Sequence, residues 1–243
     1  MDGIAGDPAP VSRSAVSKSP RSGAKRARII EMAGLYFAEH GYHAARVGDI
    51  AANLGIAKGS IFQHFGSKDG LFLEVYKRAV CSFPKYLDAP AEVRSVGFFE
   101  VLYYWLSQTE PLLREDPVRY RISLLGNYGT DIGLKREINR FLVTEDPFGT
   151  MALVRFGVER GELRQDVDVE IIVSILDWMM HRFQDALIVE ERDAGFFRRQ
   201  DNMAEKNEAR VQQLIAVLQR AVGARGARAI RGRRRVRTSV IAQ

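Results

Sequence analysis

The stretch from Gly41 to Asp69 constrains the fold of this chain more than any other. Val47, Ile50, Ala51 and Leu54 recur there at the spacing of one helix face, and Gly55 interrupts the run. A second short run, 57–65, anchors on Ile61 and Phe65. It offers Lys58, Gly59, Ser60, Phe62, Gln63 and His64 to the outside. Two short helices joined by a tight glycine-containing turn form the helix-turn-helix geometry. Ala51 is small where the helices cross, Gly55 can supply the positive φ of the turn, and Ile56 fills the gap beneath it. In this geometry the second helix lies in a DNA major groove and its N-terminal residues meet base edges.

The flanking segments read as helix too. Helix 1 is expected over 23–40, with Ile29, Ile30, Ala33 and Phe37 on its buried face and Gly41 as a left-handed terminator. Ser67 is a good N-cap for a fourth helix with Asp69 in its first turn. That helix carries Leu71, Phe72, Val75 and Tyr76 and runs to about Ser82, before Pro84. Beyond Pro90, helices are expected over 93–108, 117–126, 134–141, 147–160, 168–191 and 204–222. Pro111, Pro117 and Pro147 fall near helix starts, where the missing N–H costs little. Strand-like alternation is essentially absent. The expected fold class is all-α, with a three-helix N-terminal head over 23–70 and a larger helical domain over 71–222, the boundary falling inside the fourth helix. Residues 1–22, rich in Ser, Pro, Gly and Ala, are expected to be a disordered arm, and 223–243 an Arg-rich disordered tail.

Composition narrows the class. Hydrophobic residues at 46% and charged residues at 27% supply an ordinary globular core. No stretch approaches the roughly 20 apolar residues that span a bilayer, and the first thirty residues hold no apolar secretory segment. Cys81 is the sole cysteine, which excludes an internal disulfide and any thiolate metal cluster. The expectation is a soluble cytoplasmic protein with no membrane partner. The net charge of +6 sits at the two ends. Arg225, Arg228, Arg231, Arg233, Arg234, Arg235 and Arg237 crowd the tail with no acid among them. Between positions 21 and 68, Arg21, Lys25, Arg26, Arg28, Arg46, Lys58 and Lys68 outnumber Glu31, Glu39 and Asp49. Basic ends suit a phosphate backbone, and also an anionic membrane surface. The first four of these bases belong either to an arm that reaches the DNA or to a solvated terminus. The tail either assists DNA binding, touches a membrane surface or keeps the protein soluble.

Ile50-Ala51, Leu54-Gly55-Ile56, Lys58-Gly59-Ser60-Ile61-Phe62, His64-Phe65 and Lys68-Asp69-Gly70-Leu71 together resemble the DNA-binding domain of the tetracycline-repressor (TetR) family. The resemblance covers roughly residues 25–75. It implies a homodimer on double-stranded DNA, and a larger C-terminal domain that encloses a small-molecule effector and dimerises through its last two long helices. Carried over position by position, Lys58, Gly59, Ser60, Phe62, Gln63 and His64 correspond to the recognition helix. Lys68 corresponds to a phosphate-binding lysine at the start of the fourth helix. Two positions depart from the family. A hydroxyl pair usually precedes the second helix, and here it is Ala45-Arg46, so Arg46 takes over the phosphate contact as a charge-assisted one. The usual recognition-helix tyrosine is Phe62, left with a packing or thymine-methyl role.

The resemblance implies a ligand-responsive repressor, expected to be released from a palindromic operator by a small hydrophobic or aromatic effector, an acyl-type ligand included. The alternative is an architectural DNA-binding protein without small-molecule control. Candidate effector-binding residues are Leu102, Trp105, Leu125, Tyr128, Phe156, Trp178 and Phe183, with Phe98, Phe99, Met179 and Leu187 as further lining, and Arg121, Asn127, His181 and Asp185 are possible polar anchors. Such aromatic stripes also build ordinary cores. Candidate dimerisation residues are Ile172, Leu176, Met179, Val211, Leu214, Ile215 and Leu218, which fit a four-helix dimer bundle or packing within one chain. His181 stands four residues from both Asp177 and Asp185, which reads as a salt-linked histidine rather than a metal ligand. No metal and no cofactor are expected. No nucleophile elbow, P-loop, dinucleotide-binding glycine loop or H-E-x-x-H helix is present, so an enzyme is not expected.

Overall fold

The computed structural model describes residues 20–188 and 203–224. Most of the N-terminal arm and the Arg-rich tail from 225 onward lie outside the described residues, as does the end of the helix expected to reach 191. The described chain is helical: α1 (Pro20–Ala44), α2 (Val47–Asn53), α3 (Lys58–Phe65), α4 (Lys68–Val80), α5 (Pro84–Leu87), α6 (Ala91–Val96), α7 (Phe98–Ser107), α8 (Thr109–Glu115), α9 (Pro117–Tyr128), α10 (Ile132–Glu145), α11 (Thr150–Glu159), α12 (Val169–Ile188) and α13 (Met203–Val222). Among these residues the only β feature is an isolated antiparallel bridge between Leu163 and Gly223. The all-α class is as expected.

Several boundaries differ from the sequence reading, each for a local reason. α1 begins three residues early, because Pro20 is compatible with a first helical turn. At its other end Gly41 does adopt a positive φ of 77°, but one more turn follows to Ala44. The single helix expected over 93–108 is two. Gly97 takes φ 148°, and the Glu162 carboxylate occupies the space where a Cβ would sit, accepting a 2.7 Å hydrogen bond from the Phe98 N–H. Glu162 thereby caps α7 and starts it afresh. The helix expected to open at Pro147 opens at Thr150, after Asp146 in a left-handed conformation whose carboxylate accepts from the Met151 and Ala152 N–H groups.

Two hydrophobic cores result. The first joins the head to part of the larger body: Ile29, Phe37, Ile50, Ile61, Leu71 and Phe72 are continuous with Tyr120 and Ile122 of α9 and Leu134 and Ile138 of α10. α4 is shared between them. Phe72 packs edge-on against Phe37 and Tyr42 of α1, whereas Tyr76, one turn on, meets Phe141 of α10 and lies over Gly126 of α9. The second core holds Phe98, Leu102, Leu106, Val154, Ile172, Leu176, Ile215 and Leu218, with α13 lying along α7 and α11 along α12.

Candidate nucleic-acid interface and effector cavity

The head is held by contacts that turn its polar face outward. Gly55 adopts φ 65°, and the Gly55 and Ile56 N–H groups close the turn onto the carbonyls of Ala52 and Ala51 at 3.1 and 3.0 Å. Ile61 is fully buried and orients α3, which leaves Lys58, Gly59 and Gln63 exposed and Ser60 and His64 part-exposed. Phe62 is half-buried against the first core, with the Lys58 ammonium 5.7 Å from its ring centre. Arg46 is exposed at the N-cap of α2 and makes no side-chain capping bond.

Lys68 and its neighbours lock α4 to the end of α1. Ser67 caps α4 by accepting from the Gly70 N–H at 3.0 Å. The Lys68 ammonium donates to the His43 carbonyl at 3.0 Å and sits 4.8 Å above the Tyr42 ring, while the Tyr42 hydroxyl donates to Asp69. Burial pulls the Lys68 pKa below its ordinary value, against the opposing pull of Asp69. Lys68 is therefore both a structural pin and a cation at a helix start. Arg26 is committed elsewhere: it pairs with Glu74 and covers the Phe65 ring at 5.2 Å. It braces α1 on α4 instead of belonging to a free arm, and Glu74 was the partner that sequence spacing gave no reason to single out.

In the body a cavity of about 70 Å³ opens where the two cores meet. Phe83 and Leu87 line it from around α5, Trp105, Gln108, Thr109 and Leu112 from α7 and α8, and Tyr120, Ser123, Leu124 and Asn127 from α9. Phe148 and Thr150 come from the α10–α11 connection, and Asp177, Met180, His181, Gln184 and Asp185 from α12. Of the residues expected to touch an effector, Trp105 and His181 lie here, the indole N–H tied to the Leu87 carbonyl at 2.6 Å. Asn127 and Asp185, read as possible polar anchors, are also in the wall. The others sit elsewhere. Leu102 is sealed in the second core, and Phe156 and Phe183 pack against it, with Arg160 over the Phe156 ring at 5.3 Å. Leu125 packs on the first core, and Tyr128 stands at the surface with Arg182 6.0 Å from its ring. Trp178 points outward, and Arg121 reaches α1, where its Nε donates to the Ala38 carbonyl.

The stripes expected to face a second subunit are used inside the protomer. Ile172, Leu176, Val211, Ile215 and Leu218 are buried within one chain, and Met179 and Leu214 are half-buried on the same core. The reason is that α13 spends its stripe on α7. The outward residues of the last two helices are different ones: Trp178 at 67% exposure, and Ile171 and Val217, each about half exposed.

The electrostatics of the cavity are set by α12. His181 Nδ1 lies 2.9 Å from the Asp177 carbonyl and 3.1 Å from its carboxylate. Burial alone would lower the His181 pKa, but Asp177 outweighs it, helped by Asp185, and the ring sits above its ordinary value. Asp177 moves down in return, the bond and charge of His181 and the charge of Lys135 overcoming burial. Burial pushes Asp185 up despite Tyr128, His181 and Tyr120. Among the described residues no cluster of three or more metal-type ligands is present, and no helix is long and apolar enough to cross a membrane.

Residues 29–75 match the family model of bacterial regulatory proteins, tetR family. The chain is 30% identical over 159 residues to the HTH-type transcriptional repressor AcnR of Corynebacterium glutamicum, covering 65% of this chain and 79% of that protein. It is 28% identical over 171 residues to the HTH-type transcriptional repressor KstR2 of Rhodococcus jostii, covering 65% and 76%. In fold it is similar to the transcriptional regulator FadR from Bacillus subtilis in complex with stearoyl-CoA, with a TM-score of 0.59 at 21% identity over 78% of this chain and 96% of that one.

Proposed function

Because the chain belongs to the TetR family of bacterial regulatory proteins, which regulate transcription and are not enzymes, we propose that it is a homodimeric, ligand-released repressor acting on chromosomal DNA in the cytoplasm. The observation that carries the reading is the position of α9. One face of α9 lines the cavity through Tyr120, Ser123 and Asn127, while Arg121 on the same helix holds the Ala38 carbonyl of α1. An occupant that displaces α9 therefore displaces the head.

Two heads must fall one helical turn apart, about 34 Å, to read successive major grooves. The exposed Trp178 and Ile171, seven residues apart on one side of α12, and Val217 on α13 support a pairing surface on these helices, since large apolar side chains held in water gain from being covered. On the DNA side Arg46 and Lys68 serve phosphates, and Lys58, Gly59, Ser60, Gln63 and His64 approach base edges around a packed Phe62. A shift of ten- to a hundredfold in operator affinity needs only about 1.4–2.7 kcal/mol of coupling. The mostly apolar cavity, and the stearoyl-CoA complex of the FadR relative, support a small, largely apolar effector.

The test is selection of DNA sites by the full chain, followed by titration with and without apolar ligands. A palindromic preference, a dimer by sedimentation and release on ligand addition are expected. A steep salt dependence without sequence preference would instead identify an architectural DNA binder.

A further inference from the structure

The polar groups of the cavity wall are unequally served. Gln184 Nε2 donates to the Thr109 hydroxyl at 2.8 Å, and that hydroxyl donates onward to the Leu106 carbonyl at 2.9 Å. His181 and Asp177 satisfy each other. Asp185 is different. Its side chain belongs to a residue only 4% exposed, and the carboxylate draws on the hydroxyls of Tyr120, 3.3 Å from Oδ1, and of Tyr128, yet Oδ2 lies within hydrogen-bond distance of no donor. A buried carboxylate oxygen left without a donor is costly, and an incoming donor recovers that cost. No lysine or arginine lines the cavity, and its one basic side chain, His181, is already engaged by Asp177, so an anion brought beside Asp185 and Asp177 finds no uncommitted cation in the wall.

We infer that the effector carries a hydrogen-bond-donating head, a protonated amine or a hydroxyl, that docks on Asp185 Oδ2, with its apolar frame against Phe83, Leu112, Phe148 and Met180. A free carboxylate at the same depth meets like charge. A saturated chain end leaves Oδ2 as unpaired as before. The upward push of burial on the Asp185 carboxyl fits the same picture, because a bound cation relieves it. The inference rests on the cavity being the effector site and adds which chemistry that site selects.

A matched set of eight-carbon probes tests it: octylamine, 1-octanol and octanoate, titrated at neutral pH into the full chain and followed by calorimetry and thermal shift. Octylamine and octanol are expected to bind at least about tenfold more tightly than octanoate, the scale of one hydrogen bond to a charged group. Asp185→Asn should erase the preference for octylamine. The ranking on the unaltered chain needs no variant, so a misfolded Asp185→Asn does not rescue the idea. Trp105 emission in a Trp178→Phe background should respond to the two donors, which places them in the cavity. Octanoate binding as tightly as octylamine, an unchanged ranking in a folded Asp185→Asn, or no response to any of the three overturns the donor-head inference. If stearoyl-CoA or octanoate then still releases operator DNA, the repressor reading survives without it. If none of these four compounds releases the DNA, both fall.

Discussion

Arg121 in α9 donates its Nε hydrogen to the carbonyl of Ala38 in α1 at 2.7 Å. Its chain neighbour Tyr120 faces the other way, with its hydroxyl 3.3 Å from Asp185 in the cavity wall. One peptide unit of α9 thus touches both the sensing and the reading parts of the protein. Coupling between distant sites requires an element whose position both sites bias, and α9 meets that requirement by direct contact.

Arg121→Ala should separate the two activities. Operator binding without ligand and ligand binding without DNA are both expected to persist, while the linkage between them falls below its usual value of about 1–3 kcal/mol without vanishing, because the apolar packing of α9 on α1 and α4 remains. Operator titrations at zero and saturating effector read this difference, and an undiminished shift would remove Arg121 from the route.

Trp178→Arg and Leu218→Ala should fail in opposite ways. Trp178 is 67% exposed in the single chain and Leu218 is fully buried. Trp178→Arg is expected to keep its helix content, sediment as a monomer and lose on the order of 10³ in operator affinity as it drops toward non-specific binding. Leu218→Ala is expected to cost about 2–5 kcal/mol of unfolding free energy through the cavity it leaves, with the dimer intact where the chain is folded. Sedimentation and urea denaturation distinguish the two.

Lys68→Ala and Gln63→Ala should differ in what they do to sequence preference. Lys68→Ala is expected to weaken every DNA sequence alike and reduce the salt slope by about 1. It also lowers thermal stability, because the contact to the His43 carbonyl and the Tyr42 ring is lost. Gln63→Ala, on an exposed side chain, should leave stability unchanged and relax preference at one base pair by about 1–3 kcal/mol. Binding to a panel of single-base operator variants measures both.

Stability should carry a pH signature from α12. The folded pKa of His181 lies above its ordinary value, since Asp177 and Asp185 outweigh burial. A group raised on folding stabilises fully below its unfolded pKa, about 6.5, and that contribution disappears as pH climbs through the higher folded value. The difference in urea midpoint between the natural chain and His181→Gln should therefore be largest near pH 6 and shrink at more alkaline pH. A difference that grows with pH would contradict the Asp177 pairing.

The head was legible in the chain because its contacts are local. Ile50, Gly55, Ile61, Ser67 and Phe72 lie within one continuous stretch, and turn, cap and apolar face each leave a mark at fixed spacing. The cavity left no such mark. Phe83, Trp105, Tyr120, Phe148 and His181 come from separate elements, and helical periodicity says which face of each is apolar but not which faces meet. The same limit explains the dimer stripe. Val211, Ile215 and Leu218 form an apolar line, yet the line is identical whether α7 or a second chain covers it. Only three-dimensional packing reveals that Trp178 and Val217, on other faces, are the ones left uncovered. The break at Gly97 depends on Glu162, a residue far along the chain, and so was equally hidden.

The continuity of the first core across head and body means that the reading element has no skin of its own. Excised at the end of α4, it would bare Tyr76 and Val80, and with them the side of α1 and α4 that α9 and α10 clothe. Such a fragment is a half-dressed protein rather than a portable module. Grafting this specificity onto a relative means transplanting α9 and α10 along with the recognition helix, and exchanges that stop at the end of α4 should yield insoluble chimeras.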